Sequence, residues 1–283
     1  MKKILYAANN RAYETVKRMI DDQADLEVKD RDGHTALMLA VMHGHSDCSQ
    51  LLLDANADTE VVNDREWTPL IMAVDKNEID CIRRLIAANA NVNAQNVSSW
   101  FALLHAAEQG HIESLQLLVE AKAYLGLMDD NYCNPLHYAA SYGHTDCLRY
   151  LVAAKGDIHA RNVTESTVLM AGLAHRECVH LLLDANADIE ARDTEGSTAV
   201  MITASKGHID SMHLLIDRKA DLEAVNDAGA SVLMMAAAGA STKCVQRVID
   251  AVQSMFNEEH VSSSKTSLLN SATVEFVLRN REE

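Results

Sequence analysis

The feature that most constrains this chain is a period of 33 residues. The stretch Thr35 to Asp58, TALMLAVMHGHSDCSQLLLDANAD, returns when it is shifted by that amount. Thr35, Ala36 and Leu37 become Thr68, Pro69 and Leu70; Leu52 becomes Leu85; Ala57-Asp58 becomes Ala90-Asn91. Such self-similarity means one supersecondary unit stacked on copies of itself, each too small to bury its apolar side alone. Units open near Asp30, Asn63, Asn96, Asp129, Asn162, Asp193 and Asn226, at successive offsets of 33, 33, 33, 33, 31 and 33. The expected organisation is an array over 1–258. It has an N-terminal cap repeat at 1–29, seven full repeats over 30–258, and a degenerate capping repeat at 259–283.

Within each unit the pattern predicts two helices. A polar turn leads into a first apolar helix centred on Leu37, Leu70, Leu103, Leu136, Leu169, Val200 and Leu233. A short break follows, often Gly-His (44–45, 110–111, 143–144, 207–208), and then a second helix with triplets such as Leu51-Leu52-Leu53 and Leu181-Leu182-Leu183. Thr35, Thr68, Thr167, Thr198 and Ser231 stand where a hydroxyl can cap the first helix. Pro69 and Pro135 take the first helical position, where no N–H is missed. The glycine before each His suits a left-handed C-cap, as do Asn56, Asn89 and Asn186 after the second helix. Asp47, Asp80, Glu113, Asp146 and Asp210 favour the positive end of that second helix.

These residues carry a resemblance to the ankyrin repeat family. Asp129 to His144, DDNYCNPLHYAASYGH, and Asp193 to His208, DTEGSTAVMITASKGH, meet the family's D-x-x-G-x-T-P-L-H-x-A-A-x-x-G-H pattern closely. The units cover about nine-tenths of the chain. The resemblance implies an all-α solenoid of stacked antiparallel helix pairs with projecting β-turn or hairpin loops. The family's Pro-Leu-His is mostly replaced, as in Ala36-Leu37-Met38 and Val168-Leu169-Met170. Methionine is an adaptable packing residue in place of a turn-stitching His. Two places break the rhythm. The 162–192 unit is two residues short, with Gly-His missing between Leu173 and Cys178, which predicts the weakest joint there. After Val252 the pattern loosens, and Ser262-Ser263-Ser264-Lys265 reads as a polar loop.

Composition narrows the function classes. With 41 acidic against 25 basic residues the formal charge is -16, which argues against a phosphate backbone or an anionic membrane as partner. A basic protein surface stays open as a partner. No apolar run approaches the roughly 20 residues of a spanning helix, and MKKILYAANN is too weakly apolar for a signal peptide. Cytoplasmic placement is the expectation, with the nucleus open.

The residue types that carry chemistry are absorbed by the repeat. Cys48, Cys81, Cys147, Cys178 and Cys244 share one phase, so they read as small core residues of the second helix. Neighbouring repeats lie roughly 8–10 Å apart, too far for a disulfide; only Cys133 falls in a turn. His45, His111, His144 and His208 are one structural position, and His137 holds the family's own His. No C-x-x-C, H-E-x-x-H, nucleophile elbow or phosphate-cradling loop is present. Catalysis, a metal and a cofactor are all unsupported.

What does not repeat is surface. By the resemblance, the turn residues before the Thr position and the end of the first helix line the concave face. Those positions hold Arg31, His34, Met42 and His43 in one unit, then Arg65, Trp67 and Lys76, then Trp100 and Gln109, then Tyr142. Phe101 replaces a capping Thr and Tyr132 a turn Gly. Both tryptophans of the chain occupy the same turn phase in adjacent units, and such rings dominate binding energy at interfaces. The expected function is a non-catalytic scaffold or adaptor binding another protein there, as a monomer or as a subunit of a larger complex. The alternative is a small-ligand or nucleotide sensor, with Trp67 and Trp100 stacking and Arg65 and Lys76 contacting an anion.

Overall fold

In the computed structural model the chain forms two compact units, Met1–Asp157 and Ile158–Glu283. The structure describes residues 3–258. The expected cap at 259–283 and its polar loop lie outside the described residues. Every described element is a helix. The first unit contains α1 (Lys3–Asn9), α2 (Tyr13–Asp21), α3 (Ala36–Met42), α4 (Ser46–Asp54), α5 (Pro69–Asp75), α6 (Ile79–Ala87), α7 (Ala102–Gln109), α8 (Ile112–Glu120), α9 (Pro135–Ser141) and α10 (Thr145–Ala153). The second contains α11 (Val168–Ala171), α12 (Arg176–Asp184), α13 (Ala199–Lys206), α14 (Ile209–Asp217), α15 (Val232–Ala238) and α16 (Thr242–Glu258).

Helices shorter than about 12 residues are marginal alone, so packing must hold them. In the first unit the odd-numbered helices α1, α3, α5, α7 and α9 stack in one row and the even-numbered α2 to α10 in another, each pair also packing on itself. The same two rows recur in the second unit, α11-α13-α15 and α12-α14-α16. The first-row helices are almost wholly buried: all of Ala36 to Val41 in α3, Pro69 to Val74 in α5 and Ala102 to Ala107 in α7. Second-row helices bury one stripe, such as Cys81, Ile82 and Leu85.

The caps follow the hydroxyls. Thr35, Thr68, Thr167 and Ser231 accept from the third helical amide at 3.3–3.4 Å. Thr198 does not: its Oγ1 is buried without a partner, and α13 starts on backbone bonding alone, Ile202 N–H to Thr198 carbonyl at 3.1 Å. Asn134 and His137 form a reciprocal capping box. Gly110 shows why the helix break demands glycine: φ is +71°, and a Cβ there would meet the His144 ring at 2.4 Å. Asn56, Asn89 and Asn186 also adopt positive φ after their helices.

Each projecting turn is organised by the acid or amide that opens it. The Oδ1 atoms of Asp30, Asn63, Asn96 and Asp129 each accept the amides two and four residues on, at 2.7–3.0 Å. That fixes the fourth residue after each, namely His34, Trp67, Trp100 and Cys133, at one place on the turn. The short 162–192 unit keeps this turn, but its first helix shrinks to the four residues of α11.

Candidate interaction surface

In the first unit the fourth turn residues Trp67 and Trp100 lie over the first-row helix of the next repeat. Trp67 reaches α7 and packs against His105, ring centroids 4.9 Å apart and 70° inclined. Trp100 meets the same His105 at 4.9 Å and also Tyr138 of α9 at 5.2 Å. Tyr138 stacks on Tyr142 at 6.4 Å, and Tyr142 on His144 at 6.3 Å. The result is an unbroken row of six rings on the turn side of α5, α7 and α9. Both indoles are half-buried. They lean into this row instead of standing free at turn tips.

Beside the row lies a cleft of about 340 Å³ lined by Asp32, His34, Met42, Asn63, Asp64, Arg65, Trp67, Met72, Asp75 and Lys76. The structure therefore brings together five of the residues expected from sequence: His34, Met42, Arg65, Trp67 and Lys76. Trp100 and Tyr142 belong to the ring row. Arg31, His43, Gln109 and Tyr132 are exposed and belong to neither. His43 reaches back to Asn9, Nε2 to Oδ1 at 3.0 Å. Tyr132 takes the left-handed turn position that Gly33 fills elsewhere, φ +59°, and leaves its ring 60% exposed. A non-glycine residue there costs roughly 1–2 kcal/mol.

Phe101 does not belong to the surface. Its side chain is fully buried at the start of α7, where it makes no cap hydrogen bond, so it cannot touch a partner. An aromatic ring at a cap phase turns inward because burying it outweighs a cap worth about 1 kcal/mol. Two residues of the ring row escaped the sequence reading, His105 and Tyr138. They share a phase in the first helix with Leu39 and Met72, a position whose residue changes from each repeat to the next. That variability inside an apolar pattern was the available signal.

Electrostatics divides the site. His105 is 7% exposed, and neither ring nitrogen has a hydrogen-bond partner among the described residues. Burial pushes its pKa below the ordinary 6.5, with the His111 charge adding and the Asp75 carboxylate opposing. The Tyr138 hydroxyl donates to Asp129 Oδ2 at 2.8 Å; burial and that bond to a carboxylate push its pKa up. Asp75 pairs with Lys76 at 2.9 Å, both partly exposed. Asp30, Asp32 and His34 bring three potential metal ligands within 4.8 Å of one another. Their contacts are those of the turn itself, since Asp30 already accepts both neighbouring amides and faces His34 Nδ1 at 3.2 Å.

Three of the helix-break histidines bond the backbone of the preceding repeat. The rings of His45 and His111 bond the carbonyls of Ala8 and Val74 in the preceding first-row helix, at 2.9 and 3.0 Å. His144 reaches the Glu108 carbonyl the same way, at 2.7 Å. Cys48, Cys81, Cys147, Cys178 and Cys244 are buried and form no disulfide, while Cys133 is half-buried. Burial pushes the Cys48 and Cys147 thiols up to about 11, which leaves them protonated at neutral pH. Among the described residues no helix is long and apolar enough to cross a membrane.

Comparison with known proteins agrees with this architecture. A family profile described as ankyrin repeats in three copies matches residues 4–96, 80–162, 103–193 and 168–260. No curated protein sequence matches the chain. The crystal structure of the human ASB11 ankyrin repeat domain is similar, with a TM-score of 0.69 and 22% identity over 78% of this chain and 99% of that one. At that identity the likeness speaks to fold alone. Matched by the family profile along most of its length and built of turn-linked helix pairs with Gly-His breaks, the chain belongs to the ankyrin repeat family.

Proposed function

We propose that the chain is a non-catalytic scaffold or adaptor that holds a protein partner on the turn side of its first unit. Ankyrin repeats are in general protein–protein interaction modules, and fold by itself does not choose a surface. The observation that carries the choice is the ring row from Trp67 to His144 with the adjoining cleft. A hydrophobic, aromatic centre with a charged rim is the anatomy of a binding patch. The sensor reading, with Arg65 and Lys76 receiving a phosphate, is disfavoured by the carboxylates of Asp32, Asp64 and Asp75 on the same wall.

The test is Trp67→Ala combined with Trp100→Ala, after the partner has been identified by affinity capture and mass spectrometry. Partner binding should be lost. The fold should survive with its stability lowered by about 1–3 kcal/mol, since ring pairs contribute about 0.5–1.5 kcal/mol each beyond their burial. Tyr124→Ala, at a 64% exposed ring outside the row, should leave binding intact. Full binding by a folded double variant would remove this surface from the reading.

A further inference from the structure

The chemistry of the cleft beside Trp67 points to one kind of group. We propose that it receives an arginine side chain of the bound protein, its guanidinium lying against the Trp67 indole and reaching Asp32 and Asp64. This rests on the turn-side face being the binding surface, and adds the identity of what enters it.

Three features converge on a planar cation. First, Trp67, Met42 and Met72 give the cleft an apolar lining, and a guanidinium is both weakly hydrated and able to stack on an indole. Second, Asp32 and Asp64 are exposed and have no side-chain hydrogen bond or ion pair among the described residues. Asp75, by contrast, already holds Lys76 at 2.9 Å. Two open carboxylates therefore face one open cation, Arg65. Third, along the adjacent turns Asp30, Asp32, Asp64 and Glu66 outnumber Arg31 and Arg65, within a chain of net charge -16. A phosphate or carboxylate entering here would meet like charge. The size agrees: about 340 Å³ lies at the lower end of ligand pockets, suited to one long side chain. An ammonium has no planar fork to stack and bond at once, so arginine is favoured over lysine. Arg65 opposes the entering charge, which gives the proposal an unusual sign: removing this cation should improve binding.

The chain has two tryptophans, so an ¹⁵N spectrum of the full chain shows two indole N–H signals, assigned with Trp67→Phe. The probes are the peptides acetyl-Gly-Gly-Xaa-Gly-Gly-amide with arginine, citrulline, lysine or glutamate at the centre. The arginine peptide should shift the Trp67 indole and the amides near Asp32, Asp64 and Lys76 at millimolar concentration. The neutral isostere citrulline and the glutamate peptide should not, and lysine should bind more weakly. Asp64→Asn should weaken arginine binding about threefold to tenfold, and Arg65→Gln should strengthen it by a similar factor. Equal responses to arginine and citrulline, or to arginine and lysine, would overturn the proposal, as would two charge variants without effect. A silent arginine titration, together with loss of partner in the double tryptophan variant, removes arginine and keeps the surface. Retained partner in that variant removes both.

Discussion

His105 is the residue on which the ring row turns, and also its one electrostatic liability. It is neutral, nearly buried and held between two indoles with both nitrogens unpartnered. Because burial lowers its folded pKa beneath the unfolded 6.5, the folded state binds fewer protons than the unfolded one just below that pH. Its full contribution to stability is present above about pH 6.5 and is lost as pH falls toward the folded value. His208, also lowered by burial, adds a slope of the same sign. The lowered carboxyls of Asp30 and Asp47 act only near and below 3.8. His105→Leu should therefore raise the urea midpoint at pH 7.5, by about 1 kcal/mol for relief of an unsatisfied buried group. It should also flatten the decline between pH 7.5 and 5.5. An unchanged pH profile would place the titrating group elsewhere. The same residue marks what the sequence could and could not convey. The phase of Trp67 and Trp100 was legible from the repeat, as was the structural role of His45, His111 and His144. The inward turn of Phe101 was not, because alignment to a cap phase says nothing of where a larger ring finds volume. The pairing of Trp67 with His105 links turn and helix 38 residues apart, and only the stacking of one repeat on the next brings those together.

At the scale of elements, the first-row helices are alike in chemistry and unequal in length. Turn acids, cap hydroxyls and Gly-His breaks all speak for helices of seven or eight residues, and α3, α5, α7, α9, α13 and α15 have them. In α11 the deletion of two residues removes the Gly-His break, and the helix closes after Ala171, with Gly172 N–H bonding the carbonyls of Val168 and Leu169 at 3.2 Å. One helical turn retains few intrahelical hydrogen bonds, and its cap on Thr167 holds only the leading end. Local opening should therefore cost less here than in α9, which has its capping box. Hydrogen exchange should show the amides of 168–173 exchanging about tenfold faster than those of 136–142, an opening cheaper by about 1.4 kcal/mol. Equal protection of the two segments would show that burial of Val168, Leu169 and Leu173 compensates for the missing turn. This joint was readable in sequence as a change of period. The unused hydroxyl of Thr198 was not, since composition at a cap position does not report rotamer.

Over the whole molecule two electrostatic effects compete, and salt separates them. Ion pairs link neighbouring repeats: Arg11, in the turn before α2, to Asp47 of α4 at 3.2 Å and Arg83 to Glu113 at 3.5 Å in the first unit, and Arg247 to Asp217 at 2.8 Å in the second. These are surface pairs, most of them well exposed, and such pairs contribute about 0–1 kcal/mol each, less as salt rises. Against them stands the excess of 41 acidic over 25 basic residues, whose self-repulsion opposes the compact state. In an array stabilised by contacts between neighbours, that repulsion acts along every repeat, whereas the pairs act at single joints. Screening should thus favour folding. Raising sodium chloride from 20 to about 500 mM, which shortens the Debye length from roughly 20 Å to 4 Å, should raise the urea midpoint. Capture of a basic partner should move the opposite way, its affinity falling over the same range as the attraction is screened. Stability and affinity measured in one salt series should diverge, one rising as the other falls. A midpoint that drops with salt would mean that the ion pairs outweigh the net charge. Affinity indifferent to salt would mean that the aromatic row alone holds the partner.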